Sequence, residues 1–461
     1  MAEPGRGALR SVAMAHEQDA GARHRAVPSG RLARLGGFGR LAGGVAGGVL
    51  AEGARRLASG ERPKLGDLVM TPANAARVAD RLSHLRGAAM KLGQMISMDA
   101  GDLLPPELAT ILSRVRDQAY RMPPAQLDKV LRAEWGADWR RRFRHFEAAP
   151  IAAASIGQVH RATLPDGRQL AIKVQYPGVA DSIDADVDNV ATLLRVSQLL
   201  PSTLDLAPLL TAAKRQLAEE ADYVREGEQM RLYGERLAGD ARFVVPSLEP
   251  ELTTPRVLAM SFVDGRPIEV LETEPQETRD RVMTALLTLV LRELFEFGAM
   301  QTDPNFANYR WQPETGALVL LDFGAARDVP AETSDAYRRL IEAGLDRDLG
   351  RIRDVAVETG FLGAEAVTAH RASVDRIIAA IDATLNRPGP FDFGDRAFVP
   401  VVREEGRTLA ADRATWHVPD AEVLFVQRKV SGTALLAARM KARVDVRGLA
   451  AAAIGAQAPA K

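Results

Sequence analysis

The chain has 461 residues, 46% of them apolar and 26% charged, enough to bury a large core in more than one unit and too apolar for a disordered chain. Lysine plus arginine and aspartate plus glutamate both total 60, so there is no net charge and no global basic field that would point to nucleic acid as a partner. With no cysteine there can be no disulfide, thiol nucleophile, iron–sulfur cluster or thiolate zinc site, and the seven scattered histidines form no HExxH pair.

In chain order, residues 1–34 are rich in Arg, Gly and Ala without periodicity and read as a tail that lacks the features of a secretory signal. Residues 35–60 open with LGGFGRLAGGVAGGVLAEGA, where Gly39, Gly43 and Gly47 stand four apart and would line one helix face suited to close packing, including a homodimer. The uninterrupted apolar run, Leu41 to Ala51, is eleven residues, short of the roughly 20 that span a bilayer. Two readings remain open there: an interfacial helix flanked by arginines that meet anionic lipid, or a Gly/Ala-rich linker. Residues 61–148 form a helical extension, with apolar spacings of three and four to about Trp139. Next comes a hairpin, IAAASIGQVHRATLPDGRQLAIKVQYPG, turning at Pro165-Asp166-Gly167. A helical stretch follows from Asp181 to about Leu237, broken near Pro201 and Pro208. Strands are expected at 243–248 and 255–265. From Gln276 helices dominate to Val446, interrupted by a short strand at 318–321, and the alanine-rich end, 451–461, is expected to fray.

Phosphoryl transfer from ATP needs a lysine on the phosphates, a carboxylate that holds it, metal-binding Asp and Asn, and an aspartate near the nucleophile. Candidates occur in workable order. Lys173 ends the strand LAIK; AMQTDPNFANYRW carries Asp303 and Asn308 at D-x-x-x-x-N spacing; VLLDFG supplies Asp322, fourteen residues after Asn308. Singly, Asp303 and Asn308 could cap turns, Asp322 could end a strand and Lys173 could be a surface charge. The joint order favours a bound Mg-nucleotide.

These residues, with KLGQ (91–94), AAASIGQVH (152–160), AIKVQYPG (171–178), EADY (220–223), MQTDPN (300–305), LDFGAAR (321–327) and RKVSG (428–432), resemble the UbiB family of atypical kinases, in the branch that serves coenzyme Q biosynthesis. The similarity runs over roughly residues 30 to 450. It implies an α+β, two-lobed protein-kinase-like fold, with an N-lobe at 149–262 carrying inserted helices, a C-lobe at 263–450, and the helical KxGQ extension before them. It implies that Lys173 pairs with Glu220, 47 residues on, that Asp303 is the catalytic-loop aspartate, and that Asn308 and Asp322 hold Mg²⁺. Ala152, Ala153, Ala154, Ser155 and Gly157 would roof the phosphates of ATP or ADP. The strand MSFVDG would meet adenine through Met260 and Phe262, with Ser261 where relatives commonly carry Glu. Lys91, Gly93 and Gln94 would form a lid across the pocket. The usual His-x-Asp-Pro-His-Pro-Gly-Asn loop is altered here to Gln301, Asn305, Phe306 and Ala307, as in the mitochondrial branch.

Physically, three alanines in place of glycines deny the roof part of its φ > 0 freedom, which predicts nucleotide binding with poor placement of the γ-phosphoryl group. Helix-like sequence resumes about eight residues after Gly324, leaving almost nothing to build a peptide platform. The resemblance therefore implies a membrane-associated ATPase that handles quinone precursors beside other biosynthetic enzymes. It would work on the cytoplasmic face of a bacterial inner membrane, or the matrix face in a mitochondrion. A lipid or small-molecule kinase, and a nucleotide-sensing scaffold, remain as alternatives.

Overall fold

The computed structural model describes residues 122–196, 207–412 and 421–455. The tail, the Gly39/Gly43/Gly47 segment and the KxGQ residues Lys91, Gly93 and Gln94 lie outside the described residues. The chain divides into two compact units, one ending at Arg225 and regaining Leu248–Phe262, the other made of Glu226–Ser247 and Val263 onward.

In the first unit, α1 (Pro124–Trp135) begins with a proline in its first turn, where the missing N–H has no helical partner to lose. Five strands follow: β1 (His145–Phe146), β2 (Ala152–Ala153), β3 (Gly157–Thr163), β4 (Gln169–Gln175) and, later in the chain, β6 (Val257–Ser261). They pair antiparallel in the order β1-β3-β4-β6, with β2 folded back onto β3. The two-residue period of β4 decides what each side chain does. Leu170, Ile172 and Val174 are buried in the core, so Lys173 must stand on the opposite face. That core is sealed by Trp135, Trp139, Phe143 and Phe146, the Trp139 and Phe146 rings meeting edge to face at 4.9 Å. Trp135 Nε1 donates to Leu252 O at 3.0 Å, tying α1 to the segment before β6. Between β4 and β6 lie α2 (Ile183–Val196), α3 (Ala207–Glu220) and the start of α4 (Tyr223–Arg236). The break expected near Pro208 falls at the start of α3, whose first turn holds Pro208 for the same reason that Pro124 opens α1, while Pro201 lies outside the described residues.

Two polar members of the alanine-rich motif are structural. Gln158 Oε1 accepts the Met122 N–H at 2.9 Å, leaving its Nε2 to donate to His160 Nε2 at 2.9 Å. His160 Nδ1 lies 2.9 Å from Glu147 O, which can only accept, so the ring is neutral with its proton on Nδ1. This chain of bonds stitches the core face of β3 to the start of α1.

The second unit holds a four-stranded sheet in the order β5-β10-β9-β7, from β5 (Phe243–Val244), β7 (Arg266–Pro267), β9 (Tyr309–Trp311) and β10 (Leu318–Leu320). A separate ribbon pairs β8 (Ala299–Gln301) with β11 (Ala326–Asp328). Helix α5 (Gln276–Arg292) buries Val282, Met283, Leu286, Leu289 and Val290, then widens into a π turn at Glu293–Phe297 that Gly298 ends in the left-handed region at φ 59°. Then come α6 (Ala331–Asp346), α7 (Leu349–Glu358), α8 (Ala364–Ala369), α9 (Arg371–Leu385), α10 (Val399–Ala411) and α11 (Ala421–Arg439). A small ribbon pairs β12 (Phe391–Asp392) with β13 (Arg443–Val444), and α12 (Val446–Gly455) closes the unit. The alanine-rich end is helical as far as Gly455, since alanine is the best helix former and Ala453 packs on the cluster of Val290, Leu294 and Phe295. Among the described residues no helix is long and apolar enough to cross a membrane.

Burial pushes the His160 imidazole from 6.5 down to about 4, against a small opposing pull from its bond to Glu147. The unfolded chain therefore takes up a proton first. The stability contributed is complete above pH 6.5 and is lost as pH falls from 6.5 to 4, by about 3 kcal/mol. Urea unfolding followed by tryptophan fluorescence at several pH values should show this slope for the wild type and not for His160→Gln, which cannot titrate. Parallel curves would exclude it.

Candidate functional site

The alanine roof is a two-residue strand and a tight turn. Ala152 and Ala153 pair with Val159 and Gln158, and the Ala154 N–H donates to Gly157 O at 2.9 Å. None of Ala152, Ala153, Ala154 or Ser155 has positive φ, and neither does Gly157. The roof thus uses backbone that any residue can adopt, as the alanines require. Gly157 is glycine for proximity: a Cβ there would stand 2.4 Å from Val174 O and 2.8 Å from Tyr223 Oη.

Tyr223 is the hub of this corner. The Lys173 Nζ sits 5.0 Å from the centre of its ring, a cation–π distance. Glu220 is the last residue of α3, and its Oε2 accepts from Ser155 Oγ at 3.0 Å, so the roof and the carboxylate are in direct contact. The EADY motif is legible as a helix-to-helix turn: Asp222 caps α4 by accepting the Arg225 N–H at 3.0 Å, and Gln175 Nε2 holds Ala221 O at 2.8 Å. The sequence signalled Glu220 but not Tyr223, which is fully buried.

The strand expected to meet adenine is less open than anticipated. Met260 is buried and pairs with Ala171, and the Phe262 N–H is spent on Gln169 O at 2.8 Å, with the Arg161 guanidinium over its ring. The Phe262 N–H is thus taken by the sheet and does not serve a base.

In the second unit Asp303, Asn308 and Asp322 come together as their spacing predicts. Thr302 anchors the loop by donating from both its N–H and its hydroxyl to Ala325 O, at 3.1 and 2.9 Å. Asn308 Nδ2 donates to Asp303 O at 3.4 Å, and Asn305 caps the turn between them by accepting from Ala307 N. The Leu321 N–H donates to Asn308 O at 3.0 Å, placing the next residue, Asp322, beside Asn308. Asp322 Oδ1 accepts the Gly324 N–H at 3.0 Å, while Phe323 is buried against Tyr233 with ring centres 5.1 Å apart. Helix α6 begins at Ala331, seven residues after Gly324, so the segment after DFG is as short as expected.

One carboxylate escaped the sequence reading. Glu226, three residues after Tyr223 on α4, is buried. A Cβ on Gly324 would stand 3.5 Å from both Glu226 Oε2 and Asp322 Oδ1, so two carboxylates converge on a residue that has no side chain to fill the space. With Asn308 alongside, this is an oxygen-rich donor set of the kind a hard divalent cation takes, and the residues fit Mg²⁺. The signal for Glu226 was its position one helical turn beyond Tyr223.

These parts define a protein-kinase-like chain with a D-x-x-x-x-N loop and a DFG segment suited to phosphoryl transfer and, among the described residues, too short a link after DFG to build a peptide platform. A model of the ABC1 atypical kinase-like domain matches residues 114–356, and the chain belongs to that family of atypical kinases. It is 38% identical over 436 residues to the mitochondrial atypical kinase COQ8B of Danio rerio, covering 93% of this chain and 69% of that protein. It is 37% identical to the mitochondrial atypical kinase COQ8 of Saccharomyces cerevisiae, over 91% of this chain and 83% of that one. The resemblance read from the motifs thus holds over most of the chain. Among solved structures, Rv3197 from Mycobacterium tuberculosis, in complex with erythromycin, aligns with a TM-score of 0.56 at 24% identity, over 80% of this chain and 93% of that one, and shares the fold.

Gly157→Ala should destabilise the protein by about 1–3 kcal/mol, because a backbone carbonyl cannot retreat from the new methyl. Gly406→Ala, inside α10 with nothing within 4 Å, should leave stability unchanged or raised. Thermal unfolding midpoints compare the two; equal midpoints would mean the roof is not packed on Val174.

Proposed function

We propose that this chain is an atypical kinase of coenzyme Q biosynthesis that binds Mg-ATP and hydrolyses it at a membrane to handle lipid quinone precursors. The observation that carries the reading is the loop of Asp303 and Asn308 locked to Asp322 by the Leu321–Asn308 hydrogen bond. The relatives named as mitochondrial COQ8 kinases support its pathway.

In this reading Asp322 and Asn308, with Glu226 close by, hold Mg²⁺, which when bound neutralises charge on the phosphates. Lys173 binds the α- and β-phosphates, and its carboxylate partner Glu220 also fixes the roof through Ser155. Asp303 accepts the proton of the attacking hydroxyl or water. The roof of Ala152, Ala153 and Ala154, held in ordinary backbone geometry, admits a nucleotide without the close backbone wrap that glycines allow. The short link from Gly324 to α6 leaves no platform for a peptide, which favours a small or lipid acceptor. Residues 35–54 would bring the chain to anionic lipid, and Lys91, Gly93 and Gln94 would close over the pocket.

The test is phosphate release from Mg-ATP by the purified chain, with and without anionic liposomes carrying a phenolic quinone precursor. The wild type should show lipid-stimulated release. Asp303→Asn should reduce it at least about 100-fold while still binding nucleotide, and Asp322→Asn should lose Mg-dependent nucleotide binding. Release unaffected by Asp303→Asn would overturn the assignment, and labelled phosphate on an extracted lipid would make the chain a lipid kinase instead. Deleting residues 35–54 should abolish co-sedimentation with the liposomes; unchanged sedimentation would remove that segment from the mechanism.

A further inference from the structure

Helix α11 supplies no group to the chemistry above, yet it carries a lysine only 1% exposed, Lys429, whose partner Glu293 is 0% exposed. A buried charge persists only where partners compensate the water it has lost. Lys429 Nζ lies 3.4 Å from Glu293 Oε2 and donates to Tyr309 Oη at 2.9 Å. Glu293 Oε1 accepts from Tyr233 Oη at 2.8 Å and from the Gln301 N–H at 3.1 Å. Burial by itself would lower the Lys429 pKa, but the Glu293 carboxylate and Tyr309 hold it above its ordinary value, so the lysine is a cation. Glu293 points inward from the first position of the π turn, a local widening of helices found often at functional sites.

Every member of this cluster abuts the catalytic loop. Tyr309 follows Asn308 directly, and Gln301 precedes Asp303 by two residues. Glu293, Gln301, Tyr309 and Lys429 line, together with Asn308 and Asp322, a cavity of about 10 Å³, room for a single water. The Gln301 side-chain amide, 5% exposed, has no partner among the described residues for its oxygen or its nitrogen, which suits such a water. Three residues along α11, a Cβ on Gly432 would stand 2.1 Å from the Cβ of Pro304, so the helix backbone rests on the loop itself.

We propose that Lys429 is a positioning residue for the metal-binding edge of the site: clamped between Glu293 and Tyr309, it sets where Asn308 and, through Leu321, Asp322 stand. This rests on the reading that Asn308 and Asp322 hold the metal of a Mg-nucleotide. It also has a sign that simple electrostatics lacks. A cation behind two metal donors repels Mg²⁺, so if Lys429 acted by charge alone its removal would tighten metal binding. As a clamp, its removal must weaken it.

The experiment titrates the full-length chain with Mn²⁺ in the presence of ADP, counting free ion by electron paramagnetic resonance, and measures ADP affinity separately in EDTA. Variants are Lys429→Met/Glu293→Gln, which removes both charges together, and Tyr309→Phe, which removes only the hydroxyl and leaves the ion pair. Both should weaken Mn²⁺ binding about 10-fold, as loss of outer-shell support typically does, with metal-free ADP affinity within about 2-fold of wild type. Should the double variant fail to fold, Tyr309→Phe decides alone. Unchanged or tighter Mn²⁺ binding, or equal loss of metal-dependent and metal-free ADP binding, would overturn the proposal. A wild-type chain that binds no Mn²⁺ with ADP would instead overturn the Mg-nucleotide reading on which it stands.

Discussion

A charge removed from water must find its compensation inside the protein, and in the second unit that requirement fixes the geometry around the catalytic loop. Glu293 and Lys429 come from helices far apart in sequence, and neither could be buried alone. Their pairing also uses Tyr233, Tyr309 and the Gln301 N–H, so the strands that begin and end the Asp303–Asn308 loop are held to the same point. The π turn at Glu293 is the local distortion that lets a helix residue take part. The first unit meets a buried polar group in another way. There burial keeps His160 neutral, and its ring is satisfied by Gln158 and a backbone carbonyl.

The roof shows how a glycine-rich loop can be replaced without losing its place in the fold. Its alanines sit in ordinary backbone regions and pair with β3 as a short strand. The one glycine that matters, Gly157, permits the close approach of Val174 and Tyr223 and has no left-handed conformation to supply. Ser155 then reaches Glu220, so the carboxylate that the family resemblance assigns to Lys173 also secures the roof. A roof hydrogen-bonded to Glu220 is less free to close over phosphates than a bare glycine loop. That restraint, with the six-residue link from Gly324 to α6, points away from protein phosphorylation.

The same local rules explain where the sequence reading and the structure part. The break expected near Pro208 takes the form of a helix start at Ala207, since a proline costs nothing where the N–H has no partner. The alanine-rich end was read as frayed and is helical to Gly455, because Ala453 finds apolar neighbours on α5 and the turn after it. Of the strand expected at the adenine edge, the sheet takes the Phe262 N–H, which leaves the contacts of Met260 and Phe262 with a base to their other atoms. Each of these outcomes concerns a residue whose behaviour depends on what lies against it.

By itself the sequence determined the kinase-like class and the order of Lys173, Glu220, Asp303, Asn308 and Asp322, because motif spacing is written along the chain. It also determined that the segment after Asp322 is too short for a peptide platform. Only the tertiary structure decided that Glu226 shares the space at Gly324 with Asp322, that Tyr223 gathers Lys173 and Gly157, and that Lys429 meets Glu293 and Tyr309 behind the loop. Those contacts join residues up to 136 positions apart, and no local period records which buried charge will find which partner. The packing of the core selects the pair.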